Sequence, residues 1–226
     1  MIGIIGATDF EMSKLLEDLE INEHKKIGGF DFCIGKLFGK EVVAVKCGIG
    51  KVFMSACCEA FLLNFKVDKI INIGAAGGLV PGLAMGDVVL VDSAVQYDMD
   101  TTAFGDPLGL ISGINKVMFD CSICPGFGEA LNQKGIHWIV GHNATADMFC
   151  TKSEVKQMLT SHFECSSVDM EAGALAQVCF INGQDFESIK IISDGANDES
   201  GDDYNNYTGT VGERVMEILQ VRFSLM

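Results

Sequence analysis

Short apolar runs alternate along this chain with stretches in which apolar positions recur three and four residues apart, the signatures of buried strands and amphipathic helices. The opening "IGIIGA" reads as a buried strand ending in glycine. Residues 9–20 carry helical spacing through Met12, Leu15, Leu16 and Leu19. "FDFCIGKLFGKEVVAVKC" reads as two strands joined by a tight turn at Phe38-Gly39. A helix follows over 51–64, then the strand "KIINIG", which runs into a glycine turn, "GAAGGL". "GDVVLVDSAVQ" and "IHWIVGHNATA" are further strands. Residues 106–133 between them resist assignment, because Gly, Pro and Ser break any period. Helices are predicted over 152–161 and 170–181, the second preceded by a short apolar strand. "SIKIISDGAND" is a strand entering an acidic loop, and residues 204–224 form a closing helix. Strands alternating with helices predict a three-layer α/β/α sandwich with a central mixed β-sheet. No linker, repeat or low-complexity tract interrupts the pattern, and the three prolines (81, 107, 125) fall in loop contexts. One domain over 1–226 is the expectation.

The composition narrows what such a sheet can serve. At 226 residues, 48% hydrophobic, with a mean hydropathy of +0.28, the chain is too apolar to be disordered. Its length suffices to bury roughly 70% of the surface of the unfolded chain. No apolar run of about 18 residues predicts a membrane span. The opening residues have no basic leader, so a signal peptide is not expected. Nine cysteines, an odd number scattered through apolar segments, suit free thiols in a reducing cytoplasm better than a disulfide framework. The net charge of -15 repels phosphate backbones and argues against nucleic-acid binding. Only two arginines occur, Arg214 and Arg222, both within the closing helix.

Several familiar motifs fail on inspection. "GIGKVF" begins like a dinucleotide fingerprint, but Phe53 takes the place of the last glycine. Read as a P-loop, the same segment has Val45 for the leading glycine and Val52 for the magnesium-binding hydroxyl. Cys121-x-x-Cys124 lacks a second ligand pair. His24, His137, His142 and His162 show no metal-ligand spacing along the sequence, so no metal or cofactor is expected. What remains is a set of acids where strands end: Glu11 after the first strand, Asp169 and Glu171 in "SVDMEAGALAQV", and Asp194 after "IKIIS". Ligands of open α/β sheets collect at strand carboxyl ends, so acids from opposite ends of the chain can share one cleft. Taken singly, Glu11 and Glu171 also suit the first turns of helices, where the dipole favours acids, and Asp194 suits a cap.

The segments "IIGATDFE", "KCGIGKV", "NIGAAGGL", "GDVVLVD", "DTTAFG", "VDMEAGALAQVC" and "IISDGAND" settle between those readings. In order and spacing the chain resembles the 5′-methylthioadenosine/S-adenosylhomocysteine nucleosidases of the nucleoside phosphorylase superfamily, over nearly its whole length and least across 106–140. The resemblance implies a nucleoside phosphorylase-like fold and hydrolysis of an N-glycosidic bond without a cofactor. It implies Asp194 as the acid that protonates adenine N7, oriented by Ser193, and Glu11 as the base that activates water. Two separated carboxyl groups meet those needs, as in inverting glycosidases. Glu171 would bind the ribose hydroxyls, Met170 would pack on the sugar, and Phe149 would stack on the purine. The backbone of Cys150 would read the purine edge. Ala75 and Gly77 belong to the glycine turn beside the ribose, which is otherwise a plain strand-to-loop turn. Ile49, Phe104 and Tyr204 would line the 5′ pocket, with Phe104 supplied by the neighbouring subunit of a homodimer.

A phosphorylase must hold phosphate, usually with arginine forks. With both arginines in the last helix, water is the expected nucleophile, although Lys46, Lys51 and Lys190 are available cations. The alternatives are an aminodeoxyfutalosine nucleosidase, a purine nucleoside phosphorylase and a non-catalytic nucleoside-binding protein. Four features depart from the family pattern. Ala75 replaces a serine, Lys190 an arginine, and Asp169 a glutamate, while Thr8, Thr101 and Asp106 make the 5′ region more polar. Residues 198–203 read as an acidic, solvated loop beside the site.

Overall fold

Each central strand sends consecutive apolar side chains to opposite faces, and that alternation builds two cores. In β1 (Ile2–Gly6), Ile4 joins one apolar cluster and Ile5 the other. α1 (Asp9–Asp18) packs Met12 and Leu15 on the first face. The edge hairpin of β2 (Glu20–Ile27) and β3 (Phe30–Leu37) leads through a tight turn into β4 (Lys40–Lys46). Phe38 in that turn has a positive φ of 49°, unusual for a bulky residue, and its ring packs edge-on against Phe223. α2 (Lys51–Asn64) covers the second face with Met54, Cys57, Cys58 and Phe61. The chain continues through β5 (Lys69–Gly78), β6 (Val88–Gln96), a 3-10 turn at Thr102–Phe104, β7 (Met118–Asp120), α3 (Phe127–Gln133), β8 (Trp138–Thr145) and α4 (Ser153–His162). It ends in β9 (Cys165–Asp169), α5 (Ala172–Asn182), β10 (Phe186–Asp194) and α6 (Ser200–Phe223). These elements belong to a computed structural model that describes residues 1–226 apart from the side chains at 205 and 208. Helices α1, α3 and α6 contribute to one core and α2 and α5 to the other, so the expected mixed sheet with helices on both faces is present. No described helix is long and apolar enough to cross a membrane.

The sheet forks at β5. β1 runs parallel to β5 as far as the pair Ile5–Asn72, whereas β9 joins β5 only at Gly77 and Gly78. β10 stays paired to β5 from Ile70 to Gly77. Strands β5, β10, β6, β8 and β9 thereby close into a ring, while β1, β4, β3 and β2 continue as an open sheet. Between the two branches, residues 73–76 have no strand partner on that edge of β5, and the Ala75 N–H there turns to Glu11 instead.

Three expectations need correction. "GAAGG" is not a turn: residues 74–78 are the carboxyl end of β5 and pair with β10. Here glycine answers to crowding. A Cβ on Gly74 would collide with Glu11 Oε1, and one on Gly77 would lie 3.0 Å from Asp194 Oδ1. Residues 198–203 are not a solvated loop throughout, since α6 starts at Ser200 and that residue is fully buried. Its hydroxyl accepts from the Asn197 N–H at 2.6 Å, which ties the loop to the helix start. Finally, β2, β7 and α3 are elements that the hydrophobic pattern did not indicate.

Candidate active site

A cavity of ≈ 450 Å³ opens at the fork of the sheet, within the range of small-molecule sites. Glu11 enters it from the first turn of α1. "TDFE" is a capping box: Thr8 Oγ1 accepts from Glu11 N, and Glu11 Oε2 accepts from Thr8 N at 2.8 Å. The same oxygen accepts from Ala7 N at 2.9 Å, while Oε1 accepts from Ala75 N at 2.8 Å. Ala75 N is available because β5 lacks a strand partner there. Three N–H groups therefore occupy three of the roughly four lone-pair sites of the carboxylate, and its rotamer is fixed. The helix-start reading of Glu11 is correct, and the same bonds aim it at the cavity.

Asp194 ends β10, after an irregularity in register between Ile192 and Asp194. It is 3% exposed. Oδ2 accepts from Ser193 Oγ at 2.9 Å and Oδ1 from Ala196 N at 2.9 Å. Glu171 is the N-cap residue of α5 and accepts from Gly50 N at 2.7 Å. Burial, followed by the neighbouring Asp169 charge, pushes its carboxyl up to about 8.

Two departures from the family pattern meet beneath Glu171. Lys190 Nζ lies 2.8 Å from Asp169 Oδ2, both side chains being almost wholly buried, and donates to Asn72 Oδ1 at 2.8 Å. Burial alone would raise the Asp169 carboxyl. The Lys190 ammonium, with the Thr145 hydroxyl and the Ala172 N–H, holds it below its ordinary value. The shorter acid and the shorter base thus form one pair, in which each supplies the charge that the other's burial requires.

Of the residues named from sequence, Glu11, Ile49, Ala75, Gly77, Phe149, Cys150, Met170, Glu171, Ser193, Asp194 and Tyr204 all line this cavity. Phe149 and Tyr204 meet edge-on at 5.6 Å across its mouth, which brings α6 over the site. Phe104 does not line it and is 87% exposed on the turn after β6. Thr101 and Asp106 also lie outside the lining, bonded to one another at 2.8 Å. Ala7, Thr8, Ala76, Met148, Val168, Asp169 and Gly201 complete the wall, and Met148 was not singled out from sequence. No lysine or arginine lines the cavity among the described residues. Lys46 is held by Asp9, Lys51 by Asp98, Arg222 by Glu187, and Arg214 by the Gly86 carbonyl and Glu217.

The model of the phosphorylase superfamily matches residues 1–221, and this is the class that the forked sheet and its acid-lined cavity define. A 5′-methylthioadenosine/S-adenosylhomocysteine nucleosidase of Shewanella piezotolerans is 35% identical over 209 residues, 91% of each chain. The native futalosine hydrolase of Helicobacter pylori superposes with a TM-score of 0.92 at 29% identity, covering 100% of this chain and 97% of that one. A Helicobacter pylori MTAN mutant with 5′-methylthioadenosine in its active site gives a TM-score of 0.92 at 28% identity, covering 100% and 98%. The chain belongs to the phosphorylase superfamily and, within it, to the family of 5′-methylthioadenosine/S-adenosylhomocysteine nucleosidases.

The raised Glu171 carboxyl has a consequence for stability. Between the ordinary 4.5 and about 8, the folded protein holds a proton that the unfolded chain has lost. Stability therefore falls as pH rises through that window. Glu171→Gln copies the protonated shape and keeps an acceptor for Gly50. Its thermal midpoint should match the parent near pH ~5 and exceed it by at least about 3 °C near pH ~9, while adenine release is lost. Parallel curves for the two proteins would mean that Glu171 titrates as an ordinary acid.

Proposed function

We propose that this protein hydrolyses the N-glycosidic bond of 5′-methylthioadenosine and/or S-adenosylhomocysteine, releasing adenine and the thioribose. The observation that carries this reading is a cavity holding Glu11, Glu171 and Asp194 without a cation to grip phosphate. Asp194, oriented by Ser193, gives a proton to adenine N7, and the electrons of the C1′–N9 bond leave with the purine. Glu171 bonds the ribose hydroxyls, and its negative form stabilises the positive charge that develops on the sugar. Glu11 takes a proton from water as the water oxygen bonds C1′. Phe149 stacks on the purine, the Cys150 backbone reads its edge, and Met170 packs on the ribose beside Ala75 and Gly77. Ile49 and Tyr204 hold the 5′ substituent.

A homodimer completes this reading. Phe104, Val52 and Phe53 are 87%, 78% and 56% exposed, apolar surface that a second copy would cover. Phe104 from one copy closes the 5′ end of the other. One domain over 1–226, a cytoplasmic setting and a part in methionine salvage belong to the same proposal.

Purified protein should release adenine at the same rate with and without inorganic phosphate, yielding the free thioribose. Adenine release that requires phosphate would make it a phosphorylase. The likeness to a futalosine hydrolase supports the alternative reading, a nucleosidase acting on aminodeoxyfutalosine, and the same assay with that nucleoside separates the two. Asp106 lies outside the cavity of its own chain; carried with the Phe104 turn of the second copy, it offers a carboxylate to the ammonium of a homocysteine tail. Asp106→Ala should lower kcat/KM for S-adenosylhomocysteine by about 10-fold, the loss of one charge-assisted contact, and leave methylthioadenosine unchanged. A strong preference for methylthioadenosine that survives the substitution would exclude this role.

A further inference from the structure

The edge hairpin brings together three side chains that the sequence keeps apart. β2 and β3 pair antiparallel, with His24 directly opposite Cys33 and Lys26 opposite Asp31. Asp31 and Cys33 are two residues apart on one strand and so share a face, and His24 projects on that face across the ladder. His24 Nδ1 lies 3.3 Å from each Asp31 carboxylate oxygen and 3.6 Å from Cys33 Sγ. One ligand atom from each residue falls within 4.8 Å of the others.

Hydrogen bonding alone accounts poorly for this cluster. A ring nitrogen carries either one N–H or one lone pair, yet three electron-rich atoms surround this one. The distances also exceed the ~2.7–2.9 Å of a charge-assisted bond. A shared cation explains the spacing better. Tetrahedral zinc holds nitrogen at ~2.0–2.1 Å, oxygen at ~2.0–2.2 Å and sulfur at ~2.3 Å, which sets ligand-to-ligand edges of about 3.3–3.6 Å.

We propose that His24, Asp31 and Cys33 form a binding site for a zinc-like divalent cation, with a fourth position open to water. Imidazole, carboxylate and thiolate together suit such a borderline ion. Cys33 is buried against the core that includes Met12 and Leu15, whereas His24 and Asp31 are about half exposed, so the ion enters from the solvent side. A bound ion takes Cys33 as its thiolate, so binding forms one metal–sulfur bond and releases the thiol proton to solvent. None of the three residues lines the catalytic cavity. The ion's work is structural: it pins β2, an edge strand with little buried side-chain surface, to the body of the sheet.

Cobalt(II) titrated into chelator-treated protein should bind at one equivalent with thiolate-to-cobalt charge-transfer absorption, which zinc then bleaches. Cys33→Ser should abolish the band, and the exposed His24→Ala should weaken binding by at least about 10-fold. The double substitution Cys121→Ser/Cys124→Ser should leave it intact. Zinc should raise the thermal midpoint of the parent but not of Cys33→Ser. Adenine release should be the same with and without the metal, so the outcome does not depend on the catalytic reading. Absence of the band in the parent, its survival in Cys33→Ser, or its loss from the Cys121/Cys124 variant would overturn the proposal.

Discussion

Asp194→Asn is expected to slow adenine release by about 10²–10⁴-fold, the usual contribution of a positioned general acid, while nucleoside still binds. The substitution tests chemistry because the site can absorb it structurally. Asparagine keeps an oxygen to accept the Ala196 N–H. Its amide nitrogen then faces Ser193 Oγ, which can accept from it and turn its own proton to the Ala76 carbonyl, 3.3 Å away. The Ser193 hydroxyl and the Ala196 N–H both stay partnered, and the amide's second N–H faces the cavity, so folding and cavity shape should be little changed. What is lost is the proton for N7. The loss should fall on kcat, with substrate affinity within a few-fold of the parent. Near-normal turnover would remove Asp194 from proton delivery and leave it as a cap for the loop that leads to α6.

How far the sequence foretold this molecule depends on what held each segment. Ile4 and Ile5, or Val42 to Val45, face two different cores in succession, so their strands read as continuous apolar runs. β2 was invisible for the opposite reason. "EINEHKKI" fully buries none of its residues and is held mainly by backbone pairing to β3, with only Ile27 packed against a core. Without β2 there was no register to set His24 across from Cys33, and the histidines had no visible ligand spacing. α3, at seven residues, is too short to display a period. The glycines of β5 misled because glycine ordinarily marks turns, whereas here it makes room for two carboxylates.

The site was more legible than the fold around it. The acids sit where strands end, and the fork at β5 gathers those ends. The bland reading of Glu11 does not exclude the functional one, since the capping box that starts α1 also leaves the carboxylate on the cavity wall. Lys190 and Asp169 each looked like a weakening of the family pattern. Only their contact shows that the two changes answer one another.

Glu11→Gln is the second large effect, and its signature should differ from that of Asp194→Asn. Water cannot be deprotonated by an amide, so turnover should again fall by at least about 10²-fold. Here the surroundings do not tolerate the change silently. Oε2 accepts two N–H groups, from Ala7 and Thr8, and Oε1 accepts a third from Ala75. Whichever way the glutamine amide turns, its NH₂ group faces at least one N–H donor. The better orientation keeps oxygen toward Ala7 and Thr8 and orphans Ala75 N, at a cost of roughly 1–3 kcal/mol. For a chain of this length that lowers the thermal midpoint by about 3–10 °C. Nucleoside binding should survive, because Phe149, Glu171 and Asp194 remain in place. Loss of turnover with a lowered midpoint and retained binding is therefore the expected triad of results. Turnover close to the parent's would pass the water to Glu171, because Asp169 is already engaged by Lys190 and the proposed mechanism reserves Asp194 for the purine.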